Sequence, residues 1–176
     1  IKLDKSTPID EGTNPLTFTN NNCAVEQPGY RSKSFDFNGS SSYITSAYNA
    51  DWDLNGKTFT ITMWISTEVI NGHHALISNL RNAAPIDGWD FAITLVGQLR
   101  FVTDSNTVRI ITPFTTVVVG KTYFLSLTHV GTTLTMYVNG ISVGTYVGSV
   151  QNAGINLPLE IGRVGPAYNQ YFDGKM

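Results

Sequence analysis

The chain is dominated by alternation of apolar and polar positions, which predicts β-strands. From Phe59 to Ile65 an apolar side chain occupies every odd-numbered position, and Thr60 and Thr62 lie between them. The segments from Trp89 to Leu95 and from Tyr123 to Val130 alternate in the same way. About ten short segments of this kind, with no helical periodicity between them, favour an all-β fold: a two-sheet antiparallel β-sandwich with jelly-roll strand order.

Turn residues separate these segments and fix how they connect. Asn139-Gly140 lies directly between two alternating runs, and this dipeptide favours a tight hairpin because both of its residues tolerate positive φ. Residues 1–32 contain Pro8, Pro15 and Pro28 and are predicted to be irregular, apart from a short edge strand over 16–19. Residues 1–176 are predicted to form a single domain.

Composition excludes several classes of protein. Charged residues make up 14% of the chain and the net charge is −2, whereas Thr, Ser and Asn together number 49. A nucleic-acid-binding surface needs a basic face, which this balance does not provide. No apolar run approaches the length of a membrane span, about 20 residues. Cys23 is the one cysteine, so an intramolecular disulfide is excluded, and we expect a small buried side chain there.

Six segments, in order along the chain, resemble the concanavalin A-like lectin/glucanase superfamily, in particular its laminin G-like, pentraxin-like jelly rolls. These are Ser34-Phe35-Asp36-Phe37-Asn38-Gly39 with Ser42-Tyr43-Ile44, Phe59 to Ile65, Lys121-Thr122-Tyr123, Thr133 to Gly140, Leu159-Glu160-Ile161-Gly162, and Tyr171 to Met176. The resemblance implies a concanavalin A-like sandwich with ligands bound on its concave face or edge loops. It also implies that the last strand continues beyond Met176, so that this domain lacks that strand or is cut from a larger protein.

Catalytic motifs are missing, so the sequence predicts that the protein is not an enzyme. Glucanases that the chain resembles carry several carboxylates at alternate positions of one strand. The four glutamates of this chain are Glu11, Glu26, Glu68 and Glu160, and none lies close to another acid on a predicted strand. A nucleophile elbow and a phosphate-binding loop are also missing from the sequence.

Two short motifs raise the question of a metal. Asp51, Asp53 and Asn55, followed by Gly56, resemble the start of a calcium loop, but the downstream glutamate that completes such a loop is missing. The alternatives are therefore a Ca2+ site at these residues and an ordinary Asx turn. His73-His74 are predicted to be turn residues, since adjacent side chains of a strand point to opposite faces.

Candidate ligand-binding residues combine aromatic rings with planar polar groups, as sugar recognition requires. Trp64, Phe91 and Phe101 are instead expected in the core. The candidates fall in two segments, one where a turn enters a strand and one near the end of the chain: Asp87, Trp89 and Asp90, and Arg163, Tyr168, Asn169 and Tyr171.

Two functions remain open. The first is a non-catalytic, lectin-like module of a larger surface or secreted protein, with glycans or a cell-surface polysaccharide as partners. The second is a structural or attachment module of a phage or viral particle, such as a fibre, tail or capsid-decoration protein, whose partners are other subunits. Both place the protein outside the cell, at a cell surface or in a virion, with no nucleic acid and no membrane span.

Overall fold

The computed structural model describes residues 8, 11, 15–28, 33–80, 87–103, 107–151, 156–168 and 170–176. Strands are numbered in chain order. The first sheet has seven antiparallel strands, in the spatial order β1 (Phe18–Asn21), β4 (Tyr43–Ser46), β13 (Leu159–Ile161), β6 (His74–Ser78), β7 (Trp89–Ile93), β8 (Leu99–Thr103) and β9 (Thr107–Ile111).

The second sheet also has seven antiparallel strands. Their spatial order is β12 (Ile141–Val147), β11 (Thr133–Val138), β10 (Thr122–Val130), β5 (Phe59–Thr67), β16 (Asp173–Lys175), β3 (Lys33–Asn38) and β2 (Ala24–Pro28). A small hairpin pairs β14 (Arg163–Val164) with β15 (Gln170–Tyr171) around the helical turn α1 (Gly165–Tyr168), and a 3₁₀ turn spans Ala50–Trp52. This architecture confirms the predicted antiparallel β-sandwich.

The hydrophobic core lies between the two sheets and takes the inward side chain of each alternating pair. Phe35 and Phe37 of β3 face Phe91 and Phe101 of the first sheet, and all four rings are fully buried. The predicted core positions Phe91 and Phe101 are therefore confirmed. No helix in the described part of the chain is both long and apolar enough to cross a membrane.

Local turn chemistry also follows the sequence. Asn139 and Gly140 have φ values of 51° and 83°, as the predicted hairpin turn between β11 and β12 requires. Cys23 is buried between β1 and β2, as expected. Burial, and to a smaller extent the neighbouring charge of Asp36, raises the pKa of its thiol to about 12.

Two expectations are corrected. Trp64 lies on the outward side of β5, where it is partly exposed and packs on Phe124 at 5.0 Å, because its inward neighbours Met63 and Ile65 fix the phase of the strand. The segment before residue 32 is less irregular than predicted. It holds two strands, 18–21 and 24–28, because each completes an edge of one sheet.

Candidate functional site

The outward face of the first sheet carries carboxylates that are nevertheless buried. Glu160 of β13 is in register with Ser78 of β6, which is in register with Asp90 of β7, so the three side chains share one face. The residues on either side of Glu160 and of Asp90 belong to the core, so this shared face is the outward one. The strand spacing places the Cα atoms of Glu160 and Asp90 about 10 Å apart.

Arg163 covers the first of these carboxylates. Its Nε donates to Glu160 Oε2 at 3.1 Å, and a terminal nitrogen donates to Oε1, which gives a bidentate ion pair. The guanidinium carbon also lies 3.5 Å from the ring centroid of Tyr43, so the cation stacks on an aromatic face. The Glu160 and Arg163 side chains are only 6% and 12% exposed.

The backbone turn at Gly162 brings Arg163 back over Glu160. Gly162 has a φ of +80°, and a Cβ there would lie 2.3 Å from the ring of Phe37, so glycine is required. Arg163 is then the cross-strand partner of Tyr171. Burial alone lowers the pKa of the guanidinium, but hydrogen bonds to Glu160 and Tyr171 outweigh it and leave the pKa above its ordinary value.

A second charged cluster surrounds Asp90. Its Oδ2 lies 2.8 Å from His73 Nε2 and 3.9 Å from a terminal nitrogen of Arg100, which itself lies 3.2 Å from His73 Nδ1. The Asp90 side chain is 1% exposed. Within the described part of the chain, Asp90 Oδ1 and Arg100 Nε have no hydrogen-bond partner. Both atoms are buried, so this unused hydrogen-bonding capacity is not exposed at the surface.

A shallow open depression with a cavity volume of only about 30 Å³ adjoins Glu160 on this side of the molecule. Its wall is formed by the ends of β6 and β13 and the start of α1: Ser78, Asn79, Leu80, Leu157, Pro158, Glu160 and Gly165. The pocket combines apolar surface with a carboxylate and an amide side chain. We call the outward face with Tyr43, Glu160, Arg163, Tyr171 and the Asp90 cluster the charged face.

Comparison with protein families decides the classification. Residues 38–176 match the laminin G-type family model of the concanavalin A-like lectin/glucanases superfamily. The chain belongs to this superfamily. The match includes every residue of the charged face, and it confirms the resemblance that the sequence motifs indicated. A comparison with curated protein sequences gave no match.

Solved structures share the fold at low sequence identity. Domain 4 of AbnA, a GH43 extracellular arabinanase from Geobacillus stearothermophilus, in complex with arabinotriose, has a TM-score of 0.69 at 16% identity, over 92% of this chain and 78% of that one. The carbohydrate-binding module CBM66 from Bacillus subtilis has a TM-score of 0.50 at 18% identity, over 91% of each chain. The botulinum neurotoxin serotype D binding domain has a TM-score of 0.59 at 13% identity. The match covers 97% of this chain and 46% of the toxin domain.

Three of the ligand-binding residues predicted from the sequence lie together on the charged face. Arg163, Tyr171 and Asp90 all lie on it, and the Tyr43 and Tyr171 rings are 6.5 Å apart. Tyr168 ends α1 and is 43% exposed. Asn169 lies outside the described residues.

Trp89 requires a correction. Its ring is 2% exposed and packs on Phe101, and its Nε1 donates to the Trp52 carbonyl oxygen at 2.7 Å. A ring in this position offers no face to a sugar, and its phase in β7 explains why, since it shares the inward side with Phe91. Asp87 is also buried, at 8% exposure, so the segment before β7 supports the fold rather than an exposed surface.

Sequence reasoning missed four members of the charged face: Tyr43, Glu160, His73 and Arg100. The histidines were predicted to be turn residues: His73 lies outside the strands, directly after the bend at Asn71-Gly72, whereas the interpretation is corrected for His74. His74 begins β6 and is buried, with its Nδ1 2.9 Å from the carbonyl oxygen of Tyr171, and His73 pairs with Asp90. The available signal was the Glu160-x-x-Arg163 spacing, which has no meaning until the turn at Gly162 is known.

The loop with Asp51, Asp53 and Asn55 has the hydrogen bonds of short Asx turns. The Asn55 N–H donates to Asp53 Oδ1 at 3.1 Å, and the Asp51 N–H donates to Asn49 Oδ1 at 2.7 Å. Within the described ranges, no three His, Cys, Asp or Glu side chains are grouped so that they could hold a metal ion. A melting experiment described below tests the two alternatives for this loop, a Ca2+ site and an ordinary Asx turn.

Proposed function

We propose that this protein is a non-catalytic carbohydrate-binding module and that the charged face is its binding surface. The observation that carries the proposal is the placement of two ordered ionic clusters and two tyrosines on one face, beside a pocket. Protein sites recognise sugars by directing fixed planar polar groups at hydroxyls and an aromatic ring at the C–H face. Clusters held this rigidly are preorganised for such contacts.

The chemistry of the face favours neutral glycans. Glu160 and Arg163 balance each other in charge, as do Asp90 and Arg100. A ligand with a strong charge of either sign would therefore find no excess of the opposite charge at these clusters. Hydroxyl groups, which both donate and accept hydrogen bonds, suit a surface whose charges are paired in this way.

Glycoside hydrolysis on this face is disfavoured by geometry. The Cα positions of Glu160 and Asp90 are two strand spacings apart, about 10 Å, whereas a glycosidase needs two carboxyl groups that are free to face one scissile bond. Each is also held by an arginine or a histidine. Binding without catalysis is the function that this arrangement supports.

Two comparisons favour the same function. One solved structure is a domain of an extracellular arabinanase in complex with arabinotriose, and another is named as a carbohydrate-binding module. We therefore propose that this module acts outside the cell, as part of a surface or secreted protein. The attachment-module alternative, with virion subunits as partners, has no specific observation in its favour among the described residues.

A glycan array tests the proposal. We expect the wild-type chain to bind one or more neutral glycans, and Tyr171→Ala to weaken that binding about 10-fold while thermal unfolding shows that the domain remains folded. The matched control is Tyr137→Ala, which removes a tyrosine from the outward side of the second sheet and leaves binding unchanged. Binding to no glycan at millimolar concentration, or equal loss in both variants, would contradict the proposal.

A further inference from the structure

Exposed apolar side chains are concentrated at one end of the sandwich. Two connections lie there, the β7–β8 turn (residues 94–98) and the β9–β10 loop (residues 112–121). Five of their large apolar side chains are 44–68% exposed: Leu95, Val96, Phe114, Val118 and Val119. Connections at a protein surface are normally polar, and exposed apolar side chains that cluster in this way mark an interaction surface. We call these five residues the apolar tip.

Hydrogen bonds hold the turn and the loop together as one unit. The Thr115 N–H donates to the Val96 carbonyl oxygen at 3.0 Å, and the Val117 N–H donates to the Gly97 carbonyl oxygen at 2.8 Å. The Val117 side chain, which is 2% exposed, anchors the loop in the core. The side chains of the apolar tip are therefore presented on a fixed backbone, so little conformational entropy is lost when they bind.

The threonine hydroxyls of the β9–β10 loop are used within the loop. Those of Thr112 and Thr116 donate to the Pro113 carbonyl oxygen at 3.3 and 2.7 Å. That of Thr115 donates to the Phe114 carbonyl oxygen at 2.7 Å. An apolar medium demands such internal pairing, because a polar group that enters it without a partner is strongly destabilised. A site for a sugar would instead direct these hydroxyls at the ligand.

Charge is missing from the same part of the chain. Residues 91–99 and 110–120 include no charged side chain, and Lys121 directly follows the second segment. A surface without net charge has no complement for a strongly acidic or basic partner, and it matches the uncharged interior of a bilayer. A lysine beside apolar side chains that enter a bilayer keeps its ammonium group at the level of the lipid headgroups.

We propose that the apolar tip is a membrane-attachment site, at which its five side chains enter the surface of a zwitterionic phospholipid bilayer. The attachment is peripheral, because only the turn and the loop enter and the strands stay in water. Hydrophobic contact through a few side chains is reversible, as it is for a single acyl chain. The apolar tip lies at an end of the sandwich, whereas the charged face lies on the outward side of the first sheet. Membrane attachment and glycan binding therefore use different parts of the molecule.

Vesicle flotation of the whole chain tests this inference. The probe is phosphatidylcholine vesicles without glycolipid, so that glycan binding at the charged face contributes nothing. We expect the wild-type chain to float with the vesicles at millimolar lipid, and equally at about 0.05 M and about 0.5 M NaCl, because no charge pairing is involved.

One charge placed in the apolar tip should prevent attachment. We expect Phe114→Asp to lower the partition coefficient into the vesicles at least about 10-fold. The matched control is Val130→Asp, which places the same charge at a 64% exposed side chain at the opposite end of β10 and is expected to leave flotation unchanged. Thermal unfolding checks that both variants remain folded. Leu95→Asp, on the β7–β8 turn, repeats the test if Phe114→Asp does not fold.

Three results would overturn the inference. The first is a wild-type chain that does not float, or an equal loss of flotation in Phe114→Asp and Val130→Asp. Flotation with phosphatidylserine vesicles alone, lost at high salt, would assign attachment to basic residues instead of the apolar tip. A dimer that Phe114→Asp dissociates in sedimentation equilibrium, without flotation of the wild-type chain, would identify a second copy of this chain as the occupant.

Discussion

The two sheets present opposite kinds of outward surface on the same fold. Outward positions of the first sheet hold Glu160 and Asp90, both buried and both in ionic clusters. Outward positions of the second sheet hold Thr60 and Thr62, which are exposed and uncharged. Both sheets bury their inward residues against one shared core.

The contrast separates what the fold needs from what the charged face adds. Threonine at outward strand positions satisfies β-propensity, and outward positions of the second sheet such as Thr60 and Thr62 need no ion pair. Burying a carboxylate and a guanidinium costs desolvation energy that their attraction only partly offsets. We propose that their presence on one face reflects a role in binding. The predictions below test this difference, from the largest effect to the smallest.

Removing one partner of the bidentate ion pair is expected to have the largest effect. Glu160→Ala leaves the Arg163 guanidinium buried without its counter-charge, and we expect a loss of about 3–5 kcal/mol in the free energy of unfolding. Thr62→Ala, on the second sheet, should change it by less than about 0.5 kcal/mol. Urea unfolding of both variants measures the difference, and equal values would remove the distinction between the two faces.

The Asp90 cluster is expected to be less critical. Asp90→Ala deprives Arg100 and His73 of their acceptor, but the Arg100 side chain is 22% exposed and retains access to water. We expect a loss of about 2 kcal/mol, between the two values above. A loss larger than that of Glu160→Ala in the same urea assay would contradict this ranking of the two clusters by their contribution to the free energy of unfolding.

His74, beneath the charged face, predicts a pH dependence. Burial is the main cause that lowers its pKa, with His73 adding to it, while the Tyr171 carbonyl oxygen and Asp173 oppose it. The unfolded chain therefore binds more protons than the folded one as pH falls below about 6.5. Stability is complete above that pH and decreases as the pH falls towards the lower folded pKa.

Unfolding measured between pH 7.5 and 5 checks this prediction. In the wild-type chain stability declines over that range, and His74→Gln, which keeps a hydrogen-bonding side chain but does not titrate, should flatten the decline. An unchanged slope in the variant would assign the pH dependence to other groups. Threonines of the second sheet do not titrate, so replacing them should leave the slope as it is in the wild-type chain.

The smallest effect is expected at the loop with Asp51 and Asp53. The Asx turn already uses Asp53 Oδ1, so we expect the melting temperature to be the same with EDTA and with added calcium. A rise of several degrees in calcium would instead show a Ca2+ site at Asp51, Asp53 and Asn55, and would add a metal centre outside both outward faces.

The fold was largely accessible from the sequence because its rules are local. Alternation from Phe59 to Ile65 assigns inward and outward positions without knowledge of any other strand. Asn139-Gly140 specifies its own turn through the φ values that it tolerates. The strands of residues 18–28 were harder to predict, since short edge strands depend on the neighbours that they pair with.

The charged face was only partly accessible because it depends on register between distant segments. Asp90 and Glu160 are 70 positions apart in the sequence and become neighbours of Ser78 only through pairing of β13, β6 and β7. Trp89 is the reverse case, because the local alternation of its own strand already indicates where its side chain points. Its residue type suggested a sugar platform, but the phase it shares with Phe91 places it in the core.

The most direct test of the central claim is a nitrogen–proton correlation NMR titration of the wild-type chain with a glycan identified on the array. Binding at the charged face predicts that the largest shifts occur at amides of Tyr43, Asp90, Glu160, Arg163 and Tyr171, and that Thr60 and Thr62 stay unchanged. Shifts centred on the second sheet, or no shifts with any glycan at millimolar concentration, would contradict it.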